Sequence, residues 1–302
     1  MSELLATSKK TYVRSSHHIY DENEFWQAPG EDEIPSDSKG DLIRYGKELI
    51  VHTSKYLGPK GLVTHVSNNM NCQNCHIAAG TQNFANPFSA VSSTYPKYRE
   101  RSGRVESVEF RVNECLQRSM NGGTLDSQSL EMRAMVAYLK WISKDVAAGL
   151  KPKGAGTEIL PYLARAADTQ KGKMVYLNTC QRCHGVNGEG LITADSSAFT
   201  YPPLWGENSF NVSAGMYQLS RLAGFIKNNM PFGVTWQNPQ LTNEQAWDVA
   251  AYISSQGRPE KRFAYDWLNV AKKPVDYPFG PYADSFSKEQ HKYGPFLPIV
   301  KK

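Results

Sequence analysis

The sequence predicts an all-α chain made of two tandem units, flanked by a long N-terminal arm and an irregular C-terminal tail. Three observations predict it. A Cys-x-x-Cys-His string occurs twice, at Cys72 to His76 and at Cys180 to His184. Each string is followed downstream by an apolar stripe at helical period. Between the two repeats lies Lys151-Pro152-Lys153-Gly154-Ala155-Gly156, which has two breaker types and no apolar period, and so reads as a linker. A length of 302 residues fits two units of ordinary domain size.

Residues 1–38 are polar, turn acidic at Glu31, Asp32 and Glu33, and carry Pro29 and Pro35, which predicts an arm lying on the surface. The first unit, 39–150, opens on a helix near Gly40. There Ser38 and Asp41 have capping-box spacing, and Leu42, Tyr45, Gly46 and Leu49 share one face. The unit closes on a helix that starts near Asp126, with Leu130, Ala134, Tyr138, Trp141 and Ile142 as its stripe. After the linker, 151–157, the second unit, 158–258, repeats the plan: a short helix from Lys171 to Leu177, the Cys-x-x-Cys-His string, a long loop, and a terminal helix. Thr242 caps that last helix, with Gln245 three residues on and Ala246, Val249, Ala250 and Ile253 on one face. The repeat is one of architecture rather than of sequence. The tail, 259–302, is rich in Tyr, Phe and Pro and is expected to wrap back over the units.

Composition excludes several classes. Aromatic residues make up 11% of the chain, too many for a disordered polymer. The formal charge is +5, yet no Lys/Arg run is interleaved with aromatics, which argues against nucleic acid and for anionic substrates or acidic redox partners. No stretch approaches the ~20 apolar residues of a membrane span, and the first thirty residues lack the apolar core of a signal peptide. The expectation is a mature periplasmic chain whose export signal has been removed or precedes the given start.

The doubled string is the attachment motif of c-type haem. Two thiols a helical turn apart add to the two vinyl groups of one porphyrin, and the adjacent histidine reaches the iron. Cys72, Cys75 and His76 would hold one haem; Cys180, Cys183 and His184 would hold the other. A four-sulfur zinc site is the rival for paired cysteines, but it needs no histidine after either pair. Two tandem cytochrome c-type domains, each around one covalently attached haem c, follow as the architecture.

Each iron then has a sixth position. Met174 and Met216 read as core residues. Met230, in the string Asn228-Asn229-Met230-Pro231-Phe232-Gly233, lies where small c-type cytochromes place an axial methionine, and Met/His ligation raises the potential. No such string follows the first motif. What lies there is the unpaired Cys115, on a helix expected from Val108 to Met120 that puts Arg111, Cys115 and Ser119 on one face, with Arg101 and Arg104 just upstream. Cationic neighbours favour a thiolate, the form that binds iron and attacks as a nucleophile. An inert buried cysteine is the plainer reading, and Met120 is the competing ligand. His17, His18, His52, His65 and His291 have no ligand-like spacing, although His65 stands only seven residues before Cys72.

From about Lys39 to Arg258 the sequence resembles the thiosulfate dehydrogenases, dihaem cytochromes that interconvert thiosulfate and tetrathionate. The resemblance rests on the two attachment motifs, on Arg111-Val112-Asn113-Glu114-Cys115-Leu116-Gln117-Arg118-Ser119-Met120-Asn121-Gly122, on the approach from Tyr95-Pro96 to Arg101-Ser102-Gly103-Arg104, and on Asn229-Met230-Pro231. It implies that Cys115 is the distal ligand of haem 1 and carries the sulfur substrate, with Arg101, Arg111 and Ser119 holding anions. Some relatives place a lysine before the haem 2 methionine and use it as the oxidised-state ligand. Asn229 stands there in this chain, which implies Met230 alone and a smaller ligand change on reduction.

The expected chemistry joins two thiosulfates into tetrathionate with release of two electrons, which two haems can hold. Cys115 would leave the iron, take up a sulfur-bound group and pass electrons from haem 1, kept at lower potential by thiolate, to haem 2 and on to a c-type cytochrome or similar partner. Two other classes compete: a dihaem electron carrier with no substrate site, which leaves Cys115 and its arginines unexplained, and the haem subunit of a sulfur-oxidation complex.

Overall fold

The computed structural model describes residues 18–301; His17 and the rest of 1–17 lie outside the described residues. In the first unit, helix α1 spans Ser38–Val51, α2 spans Val108–Arg118 and α3 spans Leu130–Ile142. The cap of α1 is Asp37 rather than Ser38, because the Asp37 carboxylate accepts from the backbone N–H groups of Lys39 and Gly40, both at 3.0 Å. Likewise α3 begins at Leu130, not Asp126, since the Ser129 hydroxyl accepts from Met132 N–H. Ile43, Gly46, Leu49 and Ile50 of α1 are buried, facing α3, where Met132, Met135, Leu139 and Ile142 complete the core. Leu42 and Tyr45, expected on the buried face, are half-buried at its margin.

Gly46 explains how closely those helices cross. A methyl group at that position would come within 2.0 Å of the Ala134 carbonyl oxygen, so only glycine lets the two backbones touch. The second unit repeats the device. Helices α4 (Thr169–Val175), α5 (Leu219–Asn229) and α6 (Asn243–Ser255) carry it, and a methyl group at Gly172 would come within 1.9 Å of the Asp248 carbonyl oxygen of α6. The α6 cap is as expected: Thr242 and Gln245 satisfy each other's backbone N–H groups reciprocally. The long loop expected before it is in part a helix, α5, whose Leu222, Ala223, Phe225 and Ile226 are buried.

The helix-dominated fold also carries two small antiparallel hairpins, β1 (Lys97–Arg99) with β2 (Arg104–Glu106), and β3 (Leu191–Ile192) with β4 (Phe199–Tyr201). The tail bonds to both units. Lys261 Nζ donates to the Gly122 carbonyl at 2.7 Å, Trp267 N–H to the Arg101 carbonyl at 2.6 Å, and Gln218 Nε2 donates to Asp276 at 2.8 Å. A short helix, α7 (Lys288–Tyr293), lies in the tail, and its Tyr293 carbonyl accepts from Ala167 N–H. No helix among the described residues is long and apolar enough to cross a membrane.

Candidate functional site: two cavities with a shared wall

Each Cys-x-x-Cys-His string opens onto a cavity. The first, of about 270 Å³, is walled by Cys72, Cys75 and His76 together with Arg99, Arg111, Cys115, Ser119 and Met120. The second, of about 340 Å³, is walled by Cys180, Cys183, His184, Met216 and Met230. Met70, Asn71 and Cys75 line both, so the cavities are separated by one short stretch of chain. None of the five cysteines is in a disulfide.

The donor sets fit haem. His76 Nδ1 donates to the Asn86 carbonyl at 2.6 Å, and His184 Nδ1 donates to the Pro202 carbonyl at 2.8 Å; a carbonyl only accepts, so in both rings Nε2 is left as the lone-pair nitrogen that binds a metal. Burial lowers the pKa of His76 to about 4, which keeps the imidazole neutral, and lowers that of His184 as well. The His76 ring is also stacked on Phe88, with centroids 4.4 Å apart. Burial pushes the Cys72 and Cys180 thiols up to about 11 and Cys75 up to about 12. Cys72 lines only the first cavity and Cys180 and Cys183 only the second, so the four sulfurs do not converge as a zinc site requires.

The distal wall of the first cavity is built by α2. Ser107 caps this helix by accepting from Phe110 N–H, and the helix ends at Arg118, so Arg111, Cys115 and Ser119 all reach the cavity from successive turns. Arg111 is 31% exposed because its face is open to the cavity, and its Nη1 donates to Glu114 at 3.1 Å. Its pKa lies above the ordinary arginine value, chiefly through attraction to Cys115. Burial opposes the ionisation of Glu114, but Arg111 and then Arg118 overcome it and hold the carboxyl below its usual range. Met120, the competing ligand, lines the same cavity and is buried.

Arg101 sits elsewhere. Its buried side chain does not line the cavity, and burial followed by repulsion from Arg118 lowers its pKa to about 10. The arginine that does line it is Arg99, two residues earlier on β1, whose Nε lies 3.8 Å from Glu106. Arg104 faces outward over the Phe110 and Tyr265 rings. Met174, expected in the core, is 58% exposed, whereas Met216 is buried. His65 is exposed and lines neither cavity, His18 and His52 lie beside Glu24 and Glu48, and His291 is buried against Asp284 at 3.0 Å. At the mouth of the second cavity Phe232, two residues after Met230, is 83% exposed.

Comparison with known proteins matches the chain to cytochromes c. Residues 63–147 match the SoxA/TsdA cytochrome c domain and residues 169–257 match the cytochrome c family. The chain is 36% identical over 252 residues to the thiosulfate dehydrogenase of Psychrobacter arcticus, covering 83% of this chain and 71% of that one. It is 36% identical over 230 residues to the thiosulfate dehydrogenase of Allochromatium vinosum, covering 75% and 82% respectively. A solved structure, thiosulfate dehydrogenase (TsdBA) from Marichromatium purpuratum in its as-isolated form, superposes with a TM-score of 0.72 at 32% identity over 79% of this chain. That match covers 51% of the solved chain, so the present chain spans about half of its length.

Proposed function

This chain belongs to the thiosulfate dehydrogenase family of cytochrome c enzymes, and from that premise we propose that it oxidises two thiosulfates to tetrathionate and releases two electrons, a reaction it can also run in reverse. The haem c groups, held through Cys72, Cys75 and His76 and through Cys180, Cys183 and His184, supply the one-electron acceptors. Cys115 and Met230 are the residues that would offer each iron a further ligand, in the cavities that also hold His76 and His184. The carrying observation is that Cys115 shares one cavity with the first attachment motif and with Arg99, Arg111 and Ser119.

Charge makes those residues necessary. Two thiosulfate dianions at ~4 Å repel by about 4 kcal/mol even at the dielectric of water, four times the value for unit charges. Arg111 and Arg99 face the cavity and offset that repulsion. Arg101 acts from behind them, adding positive potential without contact. The Ser119 hydroxyl, one turn beyond Cys115, can donate to a sulfonate oxygen. One thiosulfate would bond through its outer sulfur to the Cys115 thiolate, forming Cys–S–S–SO3⁻ as two electrons pass to the haem c groups; a second thiosulfate would then attack that outer sulfur, breaking its bond to Cys115, completing tetrathionate and returning the thiolate. Electrons leave by the second cavity, where the exposed Phe232 and its surroundings offer a landing surface for a periplasmic cytochrome partner.

Purified holoprotein mixed with thiosulfate and ferricyanide should yield tetrathionate, and Cys115→Gly should abolish that yield while both haems stay attached. Tetrathionate formation that survives the substitution rejects the covalent role of Cys115. No tetrathionate from the unaltered protein leaves an electron carrier.

A further inference from the structure

Asn229 ends α5, is 3% exposed, and immediately precedes Met230. Both ends of its side-chain amide are hydrogen-bonded. The oxygen accepts from Gln82 Nε2 at 2.7 Å, and the nitrogen donates to the carbonyls of Phe84 at 3.2 Å and Phe225 at 2.9 Å. Gln82 and Phe84 belong to the other unit, in the loop that leaves the first attachment motif. Two residues further along that loop is Asn86, whose carbonyl accepts from His76 Nδ1.

The loop is strained and held from several sides. Phe84 and Asn86 have φ of 59° and 52°, in the left-handed region that residues with a Cβ rarely adopt and keep only where their surroundings over-determine it. The surroundings here are the linker and the second unit. Phe84 N–H donates to the Gly154 carbonyl at 2.7 Å, Asn86 N–H to the Gly156 carbonyl at 3.0 Å, and Asn86 Nδ2 to Met216 Sδ at 3.6 Å. Asn229 fixes the Phe84 carbonyl from the opposite side. The loop whose Asn86 carbonyl orients His76 is therefore held, two residues upstream at Phe84, by the residue next to the methionine of the other cavity.

We propose that Asn229 is a positioning residue that sets the His76–Asn86 hydrogen bond from the second unit, and so ties the potential of haem 1 to the ligand loop of haem 2. The inference rests on the assignment of His76 and Met230 to the two irons. An imidazole that donates a short Nδ1 hydrogen bond is a more basic ligand and favours the oxidised metal. Releasing the clamp lengthens that bond and raises the haem 1 potential.

The test is spectroelectrochemistry of the holoprotein, reading both haems in the wild type, Asn229→Leu, Gln82→Leu and the double variant. The expected result is a haem 1 redox equilibrium shifted about tenfold toward reduction in Asn229→Leu, about 59 mV for one electron, with the thioether signature of haem 2 retained. Gln82→Leu should shift haem 1 in the same direction, and the double variant should move it by less than the sum. A haem 1 potential unchanged in the single variants overturns the proposal, as does a shift confined to haem 2; Gln82→Leu carries the test alone if Asn229→Leu does not fold. Failure of the thiosulfate reading would show separately, as absence of tetrathionate from the wild type.

Discussion

Arg111 does two things at once: it donates to Glu114 on one side and presents charge to the first cavity on the other. If that charge holds thiosulfate, Arg111→Gln removes a charge-assisted hydrogen bond of about 1.5–3 kcal/mol. Steady-state kinetics should then show a rise in the thiosulfate KM of roughly tenfold or more, with kcat falling less; an unchanged KM would remove Arg111 from the binding set. The cysteine motifs and the Arg111, Cys115, Ser119 face could be read from spacing alone, because a helix converts sequence distance into direction. Arg99 could not. Whether Arg99 or Arg101 meets the cavity is decided by the β1–β2 pairing, in which Arg99 lies opposite Arg104, and a short hairpin leaves no periodic trace in three residues. Asn86 was equally silent, since it acts through a backbone carbonyl that every residue type carries.

Two helix crossings define the elements, α1 on α3 and α4 on α6, and each is made possible by a glycine against a carbonyl. Gly46→Ala and Gly172→Ala should each destabilise the protein by about 1–3 kcal/mol through overpacking, and more if the helices cannot separate. Gly257→Ala is the control, because a methyl group there meets nothing within 4 Å. Thermal unfolding of the holoprotein measures all three, and equal melting temperatures would discard the crossing argument. Elements with strong local signals were legible: the Thr242 and Gln245 cap and the apolar stripe of α6 follow from the sequence, and the α3 stripe follows in part, since Ala134, Tyr138 and Ile142 are buried, Trp141 is half-buried and Leu130 is exposed. Helix α5 lies where the long loop was expected, although Leu219, Leu222, Ala223 and Ile226 recur at helical period, and Gly224 stands in its middle. In the fold that glycine serves packing, since a methyl group there would come within 1.9 Å of the Glu158 carbonyl oxygen. A packing glycine and a flexible one are indistinguishable until the partner backbone is known.

At the scale of the whole molecule, the tail binds to the first unit through a buried ionic cluster. Arg118 donates to Asp266 with both terminal nitrogens, at 2.6 and 2.7 Å, and to Glu114 at 2.9 Å, with its side chain almost wholly buried. Removing one partner of a buried pair strands the other charge, at a cost of about 3–5 kcal/mol. Asp266→Ala should therefore lower the melting temperature of the holoprotein and open the tail to protease, and an unchanged melting temperature with an intact tail would show that the cluster holds nothing. The strip of chain between the cavities has a different kind of importance. Met70, Asn71 and Cys75 answer to two neighbours, so the amino acids tolerated there are only those acceptable to both compartments at once. A mutant library selected for better performance at one compartment should leave these three positions nearly untouched while the outer walls diversify, which makes this strip the part of the chain where the two cavities must change together.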